Sequence, residues 1–463
     1  MSLNQVISEV SSRTSTGADE WTVAYCSTRP DGNCWRLQLD WLSWLRMTLA
    51  TTKTKGTLGT TGNFRLPPAH LAAYALACCS FKLNQRMSAR PKCEGSIMKP
   101  DATISRRQFT HSLVAAGIGG GGANAVHGAK PNVKQRLKLG IDNFAVRAMG
   151  WKAKQLIQYA AKLKVDSLFI TDLYAFESFK DGHLNDLRKL ATDSGLQILV
   201  GSWSICETST RFKDDWGTAT EHLALGIRMA KALGSPAFRV VLGSSQDRLT
   251  EGGIDARIDD TVKVLRKSRS RCLDAGIKIA VENHAGDMHS LELVRLIEEA
   301  GKEFVGANMD SGNAVRTLED PIENLKNLGP YVVTTSLRDT AVWNSENGVT
   351  AQWTAMGEGM VDWKQYFNLF AKLCPGSSVN IETISGANSE LAVKQDAFWK
   401  AWPNGKPKGF DKFLAWTATG KPRDPHKRPP GKDRKLADQE YQRGELERSI
   451  RYCKSIGLGR QRD

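Results

Sequence analysis

No stretch of this 463-residue chain approaches the roughly 18 unbroken apolar residues that a membrane span needs. The longest candidates, near residues 71–79 and 113–119, are too short to cross a bilayer, so stable membrane insertion is not expected. The nine cysteines include no CxxC pair. Five of them (Cys26, Cys34, Cys78, Cys79, Cys93) fall in the first 97 residues, while Cys206, Cys272, Cys374 and Cys453 are scattered. That spacing excludes a zinc knuckle or a disulfide framework and leaves isolated buried thiols. The four glycines at 119–122 lack both the Lys-Ser/Thr that follows a phosphate loop and the strand that precedes one.

The net charge of +15 raises the question of nucleic acid, and its distribution answers it. Lys and Arg number 33 against 33 Asp and Glu over residues 130–395, but 11 against 6 over 1–97 and 17 against 9 over 396–463. The excess sits at the two ends and the middle is neutral, which argues against a nucleic-acid partner for a site in the core.

The segment 98–129 carries the most specific local signal. Ser105-Arg106-Arg107-Gln108-Phe109 matches the twin-arginine export motif Ser-Arg-Arg-x-Phe. A short apolar run, 113–118, and a small-residue stretch ending in Ala123-Asn-Ala125 follow it. Such a segment belongs at a chain start, so residues 1–97 read as an upstream extension of low order, with Met98 the expected biological start. Export to the periplasm is the expected localisation.

From residue 137 onward, β-rich runs alternate with helical ones. The runs are 137–141, 167–171, 197–201, 237–242, 277–282, 304–310, 331–337 and 378–384. Amphipathic stretches lie between them, for example 151–164, 218–233, 254–275 and 291–300. Eight such units over 130–395 predict an α/β fold, a (β/α)8 TIM barrel. A doubly wound open sheet comes second, because no GxGxxG follows the first run. Residues 396–463 form a basic C-terminal extension with a Pro/Lys-rich connector and a terminal helix near 433–456, expected to pack over the barrel exterior.

In a barrel, reactive groups sit at the C-terminal strand ends. Three acidic residues stand there: Glu282 after Ile279-Ala-Val, Asp310 after Asn308-Met, and Glu382 after Val379-Asn-Ile. Each ends an apolar run buried on both faces, where a lone carboxylate is costly. Three converging carboxylates repel one another, and a divalent cation (Mn, Co, Zn or Mg) removes that repulsion. His284 lies two residues beyond Glu282 and so points to the same side, as a ligand, a proton carrier or a hydrogen-bonding group for substrate. His289 is expected at the start of the next helix.

On the stretches Glu282-Asn-His284, Met309-Asp-Ser-Gly-Asn313, Leu337-Arg-Asp339, Met356-Gly-Glu-Gly-Met-Val-Asp362 and Ile381-Glu-Thr383, the chain resembles the xylose isomerase-like TIM-barrel family. That group includes sugar epimerases, inosose dehydratase and endonuclease IV. The resemblance covers about residues 137–395 and implies a metal set of Glu, Asp, His and Glu from strands five to eight. Glu282, Asp310 and Glu382 match three of these positions. Where family members read His-Leu-Lys-Asp, this chain reads Ser336-Leu-Arg-Asp339, so the fourth position falls to Ser336, water or His284. Arg338 stands in for the family lysine as a group for substrate hydroxyls or a carboxylate, and Asn283 and Asn313 are candidates for orienting ligands or binding substrate.

The implied activity is metal-dependent isomerisation or epimerisation of a sugar or keto-sugar by proton abstraction next to a carbonyl. Glu282 and Glu382 would then be the catalytic acid–base pair. A sugar lyase or dehydratase using the same enediolate is the alternative, followed by a non-catalytic carbohydrate-binding barrel. An endonuclease IV-like phosphodiesterase ranks below these, because its multinuclear zinc cluster needs more histidines. Residues 130–395 hold four, and of these His284 alone stands at a strand end. The twin-arginine reading has a direct test. Replacing Arg106 and Arg107 by lysine in the natural host is expected to leave precursor in the cytoplasm, and undiminished export of the double variant would refute it.

Overall fold

The computed structural model describes residues 136–460 and, within the N-terminal of two compact units, one short antiparallel pairing of Thr22–Val23 with Leu37–Gln38. The export segment expected at 98–129 and most of the extension expected at 1–97 lie outside the described residues.

Short apolar runs whose residues are buried on both faces form parallel strands. They are β1 (Leu139–Asp142), β2 (Ser167–Ile170), β3 (Gln197–Ser204), β4 (Ala237–Val241), β5 (Lys278–Glu282), β6 (Val305–Met309) and β7 (Val332–Thr335). An antiparallel hairpin follows, β8 (Asp339–Asn344) with β9 (Val349–Thr354). Then come the eighth barrel strand, β10 (Val379–Ile381), and a third hairpin-sheet strand, β11 (Asn388–Leu391), which pairs with β9. Strands β1 to β7 pair in sequence order and β10 pairs with β1. The ring closes where the Leu337 N–H donates to Asn380 O at 2.8 Å and the Glu382 N–H donates to Leu337 O at 2.9 Å. All eight expected strands are therefore present as a TIM barrel.

The helices follow their local signals. Ala219–Leu233 starts in a capping box between Thr218 and Glu221 and ends at Gly234 in the left-handed region. The expected single helix over 254–275 appears as two, Gly253–Lys267 and Arg269–Ala275. Ser268 ends the first, and its carbonyl accepts from Cys272 to start the second.

Two features were not read from the sequence. One is the three-stranded sheet that grows from the mouth-facing end of β7. Val342, Val349, Leu391, Trp402, Phe410 and Phe413 pack there with Val315 and Leu318 as a second core. Val349, Ala351 and Trp353 share one face of β9, so the face that packs this small core also brings Trp353 to the barrel mouth. The second is the seat of the terminal helix, Arg434–Ser455: packing over the barrel exterior was expected, its place within the helical ring was not. Its Glu447 accepts from Tyr159 Oη at 3.2 Å on the first barrel helix, Ala153–Lys162. On the other flank Arg448 pairs with Glu358 at 2.9 Å and Ser449 Oγ accepts from the Met356 N–H. Leu446, Ile450 and Cys453 enter the same core as Leu139, Ile141 and Val379. The helix thus fills the eighth position of the helical ring and completes the eighth βα unit.

That position predicts a stability effect. Leu446 is fully buried, so Leu446→Ala is expected to cost about 2–5 kcal/mol in urea unfolding. Leu436→Ala, on the exposed start of the same helix, should change stability by less than about 0.5 kcal/mol. Equal and small effects at both positions would contradict a structural role for this helix.

Candidate active site

Strand alternation sends Glu282, Asp310, Ser336, Arg338 and Glu382 toward one buried space at the C-terminal ends of the barrel strands. One oxygen from each of Glu282, Asp310 and Glu382 lies within 4.8 Å of the others, and all three side chains are buried. The three carboxylates named from the sequence do converge.

Each has different partners. Glu282 Oε2 accepts from Arg239 Nε and from Asn308 Nδ2, both at 2.6 Å. Asp310 caps the turn Ser311–Ala314: its Oδ1 accepts from the N–H groups of Gly312 at 2.8 Å and Asn313 at 3.0 Å. Its Oδ2 accepts from Asn313 Nδ2 at 2.7 Å and from Arg338 Nη2. Arg338 Nη2 also donates to Glu382 Oε2, so one guanidinium bridges two carboxylates. Its face lies 4.4 Å from the centre of the Trp353 ring, which Arg316 also approaches at 4.5 Å. The Trp353 indole N–H donates to Gly312 O at 2.8 Å, so the hairpin sheet is tied to the site.

The remaining candidates have definite places. Ser336 is buried and faces the site, with its hydroxyl donating to Asp142 Oδ2 at 3.0 Å and accepting from Asn308 Nδ2 at 3.2 Å. His284 Nδ1 donates to Gly243 O at 2.7 Å, since a carbonyl only accepts, which leaves Nε2 as the acceptor nitrogen. Asn283 points to the opposite side. Its amide bonds the Asp310 N–H and C=O at 2.9 and 2.8 Å, so it holds the backbone that carries Asp310. Asn313 touches Asp310 directly and Glu282 at 3.4 Å. His289 caps the helix Ser290–Ala300, as expected.

Four participants were missed: Asp142, Arg239, Asn308 and Trp353. Asp142 ends the first barrel strand and carries the same signal as Glu282, an acidic end on an apolar run. Arg239 is a charged residue inside the buried strand β4, where only a paired charge is tolerated. Trp353 lies on the hairpin and had no positional signal.

The environments set the protonation states apart. Burial alone would raise the Glu282 carboxyl, but Arg239, with His284 and Arg338, outweighs it and holds the group below the usual range. Burial pushes Asp142 up to about 6 and Asp310 up to about 7, against the pull of the arginines. Burial pushes Glu382 well above the carboxylate range despite Arg338, and repulsion from Asp142, Asp310 and Glu282 adds to it. Burial lowers His284 to about 4, so it is neutral at neutral pH. Four carboxylates and two guanidiniums meet there, and Arg316 and Arg147 also act on Asp310 and Glu382 through their charge. Glu282, Asp310 and Glu382 bring one oxygen each within 4.8 Å of the others, an all-oxygen donor set that fits a divalent ion.

A model of the family described as xylose isomerase-like TIM barrel matches residues 146–401. Among curated proteins, the 3-oxo-isoapionate decarboxylase of Pectobacterium atrosepticum is 26% identical over 196 residues, which cover 42% of this chain and 64% of that protein. The chain thus spans less than two thirds of that relative's length. Among solved structures, a D-psicose 3-epimerase from Clostridium cellulolyticum aligns with a TM-score of 0.44 at 15% identity, over 70% of this chain and 100% of its own. A 3-keto-D-glucoside 4-epimerase from E. coli aligns with a TM-score of 0.41 at 13% identity, over 61% of this chain and 99% of its own.

The raised carboxyls make cation binding pH-dependent. A cation held by Glu282, Asp310 and Glu382 would take their ionised forms, so binding would expel the protons held by Asp310 and Glu382. Apparent affinity for manganese is expected to strengthen as pH rises from about 5 to about 8. Calorimetry near pH 6 in two buffers of different ionisation enthalpy should report net proton release. Affinity independent of pH would contradict this assignment.

Proposed function

This chain belongs to the xylose isomerase-like TIM barrel family, and on that premise we propose that it is a sugar-modifying enzyme that moves a proton from the carbon beside a carbonyl of a sugar or keto-sugar. The observation that carries the reading is the meeting of Glu282, Asp310 and Glu382, buried and within 4.8 Å at the strand ends. Glu282, Asp310 and Glu382 would hold a divalent cation. A cation bound there supplies Lewis-acid polarisation of a carbonyl oxygen.

The chain's own groups divide the proton work. Arg239 keeps Glu282 ionised, so it serves as a fixed negative charge. Glu382 holds Arg338 through Oε2 while its Oε1 accepts no hydrogen bond among the described residues, which leaves that oxygen open to take a proton from carbon and return it. Return to the opposite face is epimerisation, and return to the neighbouring carbon is isomerisation. The neutral His284 offers a lone pair to a substrate hydroxyl. Arg338 and Trp353 cover the space and keep bulk water from the carbanion.

A second reading has its own support. The curated relative at 26% identity is a decarboxylase of a 3-oxo acid. Loss of CO2 from such an acid leaves electrons on the same carbon that proton abstraction would, and the two buried arginines suit a carboxylate substrate. In that case Glu382 delivers a proton to the carbon. Export by the twin-arginine route remains part of the proposal, since a folded, metal-loaded barrel suits that route.

Incubation in D2O with ketoses and 3-keto-sugars, read by mass spectrometry, tests the first reading. Solvent deuterium is expected at the carbon beside the carbonyl, and Glu382→Gln should abolish its entry by about two orders of magnitude or more in rate. Release of CO2 from a 3-oxo sugar acid, with no deuterium entry into any neutral keto-sugar, would select the second. A protein that retains its metal yet does neither would defeat both.

A further inference from the structure

An ionised carboxylate oxygen offers two acceptor positions, four per group. At Asp310 all four are filled: Oδ1 by the N–H groups of Gly312 and Asn313, Oδ2 by Asn313 Nδ2 and Arg338 Nη2. Glu282 and Glu382 differ. Among the described residues, Glu282 Oε1 receives only the long 3.4 Å contact from Asn313. Glu382 Oε1 receives no hydrogen bond among the described residues, while its Oε2 holds Arg338. Open acceptor positions thus exist on the two glutamates and are lacking on Asp310.

Three of the four donors at Asp310 are neutral N–H groups, two of them backbone amides of the turn it caps. The fourth, Arg338, is a cation on a long side chain. A divalent ion and a guanidinium repel strongly in a buried space, and both seek the ground between Asp310 and Glu382. Arg338 is also incompletely anchored. Its Nε is buried without an acceptor, and its face rests on Trp353, which it shares with the like-charged Arg316. A flat aromatic surface lets a guanidinium shift while keeping its cation–π contact.

We propose that Arg338 is a built-in counter-cation that a divalent ion must displace to reach Asp310, so that this arginine sets the metal affinity of the site. Once displaced along Trp353, it is the group that receives an anionic oxygen of the substrate, a carboxylate or an enediolate oxygen. The proposal rests on the metal-dependent reading above.

Calorimetric titration of purified protein with manganese tests it. Arg338→Met keeps much of the stem and removes the charge. It is expected to tighten manganese binding by about tenfold or more, equal to about 1.4 kcal/mol, with Arg338→Lys in between. Wild type that binds manganese with Arg338→Met no tighter overturns the proposal and leaves the metal reading standing. Failure of both proteins to bind would overturn the two together. A second measurement does not depend on the fold of the arginine variant. Zinc, which quenches no fluorescence by itself, should change the tryptophan emission of wild type as the guanidinium shifts on Trp353, and Trp353→Phe should lose that change. Identical zinc responses of the two proteins would refute displacement.

Discussion

Four carboxylates and two guanidiniums share one space closed to solvent at the mouth of this barrel, and the balance among them constrains nearly everything around it. A buried carboxylate without compensation costs several kcal/mol. Arg239, held by Ser202 O at 2.7 Å as well as by Glu282, provides part of that compensation from inside β4. Arg338 provides the rest from the end of β7. Around them, the amide of Asn313 links Asp310 to Glu282, and that of Asn308 joins Glu282 to Ser336, whose hydroxyl donates to Asp142. The hairpin sheet is the consequence at the next level. Trp353, pinned to Gly312, covers Arg338 and excludes water from its ion pairs, and the second core under Trp402 and Phe413 holds the sheet that carries it.

The same constraint separates two glutamates that look alike in sequence. Both end apolar barrel strands, both are buried, and both contact arginine. Glu282 accepts a two-point contact from Arg239 plus an amide, whereas Glu382 shares a single Nη2 of Arg338 with Asp310. The divided guanidinium compensates each acid less. One site therefore contains a carboxylate that stays charged and another that favours its proton, the separation that acid–base chemistry requires.

Neighbouring motifs serve the frame. Asp339, adjacent in sequence to Arg338, faces the other way and accepts from the N–H groups of Gly357 and Gly359 at 2.9 and 3.0 Å. A Cβ at Gly359 would stand 2.1 Å from Asp339 Oδ1, so glycine is required there by close approach. Asp362 then caps the helix Trp363–Leu373. The run from residue 356 to 362 thus anchors the loop behind Arg338.

The eight strands, the barrel and the three convergent acids follow from local sequence alone. Period and composition decide whether a run is a strand, and an acidic residue at the end of an apolar run has few tolerable environments other than a shared site. Even His289 could be assigned to a helix start, because capping depends on neighbours within three residues. The arginine clamp, the second seat of Asp142 and the cover of Trp353 could not be read in this way. Each depends on which strands become neighbours around the ring and on a hairpin whose residues carry no barrel signal. Ser336 shows the boundary most plainly: alternation alone pointed it inward, but only the closed ring gave its hydroxyl Asp142, 194 residues away, as a partner. Local sequence decides the type of each element and the face a side chain takes, because those energies are short-range. Ion pairs across the mouth join residues tens to hundreds of positions apart, so only the tertiary fold decides which charges meet.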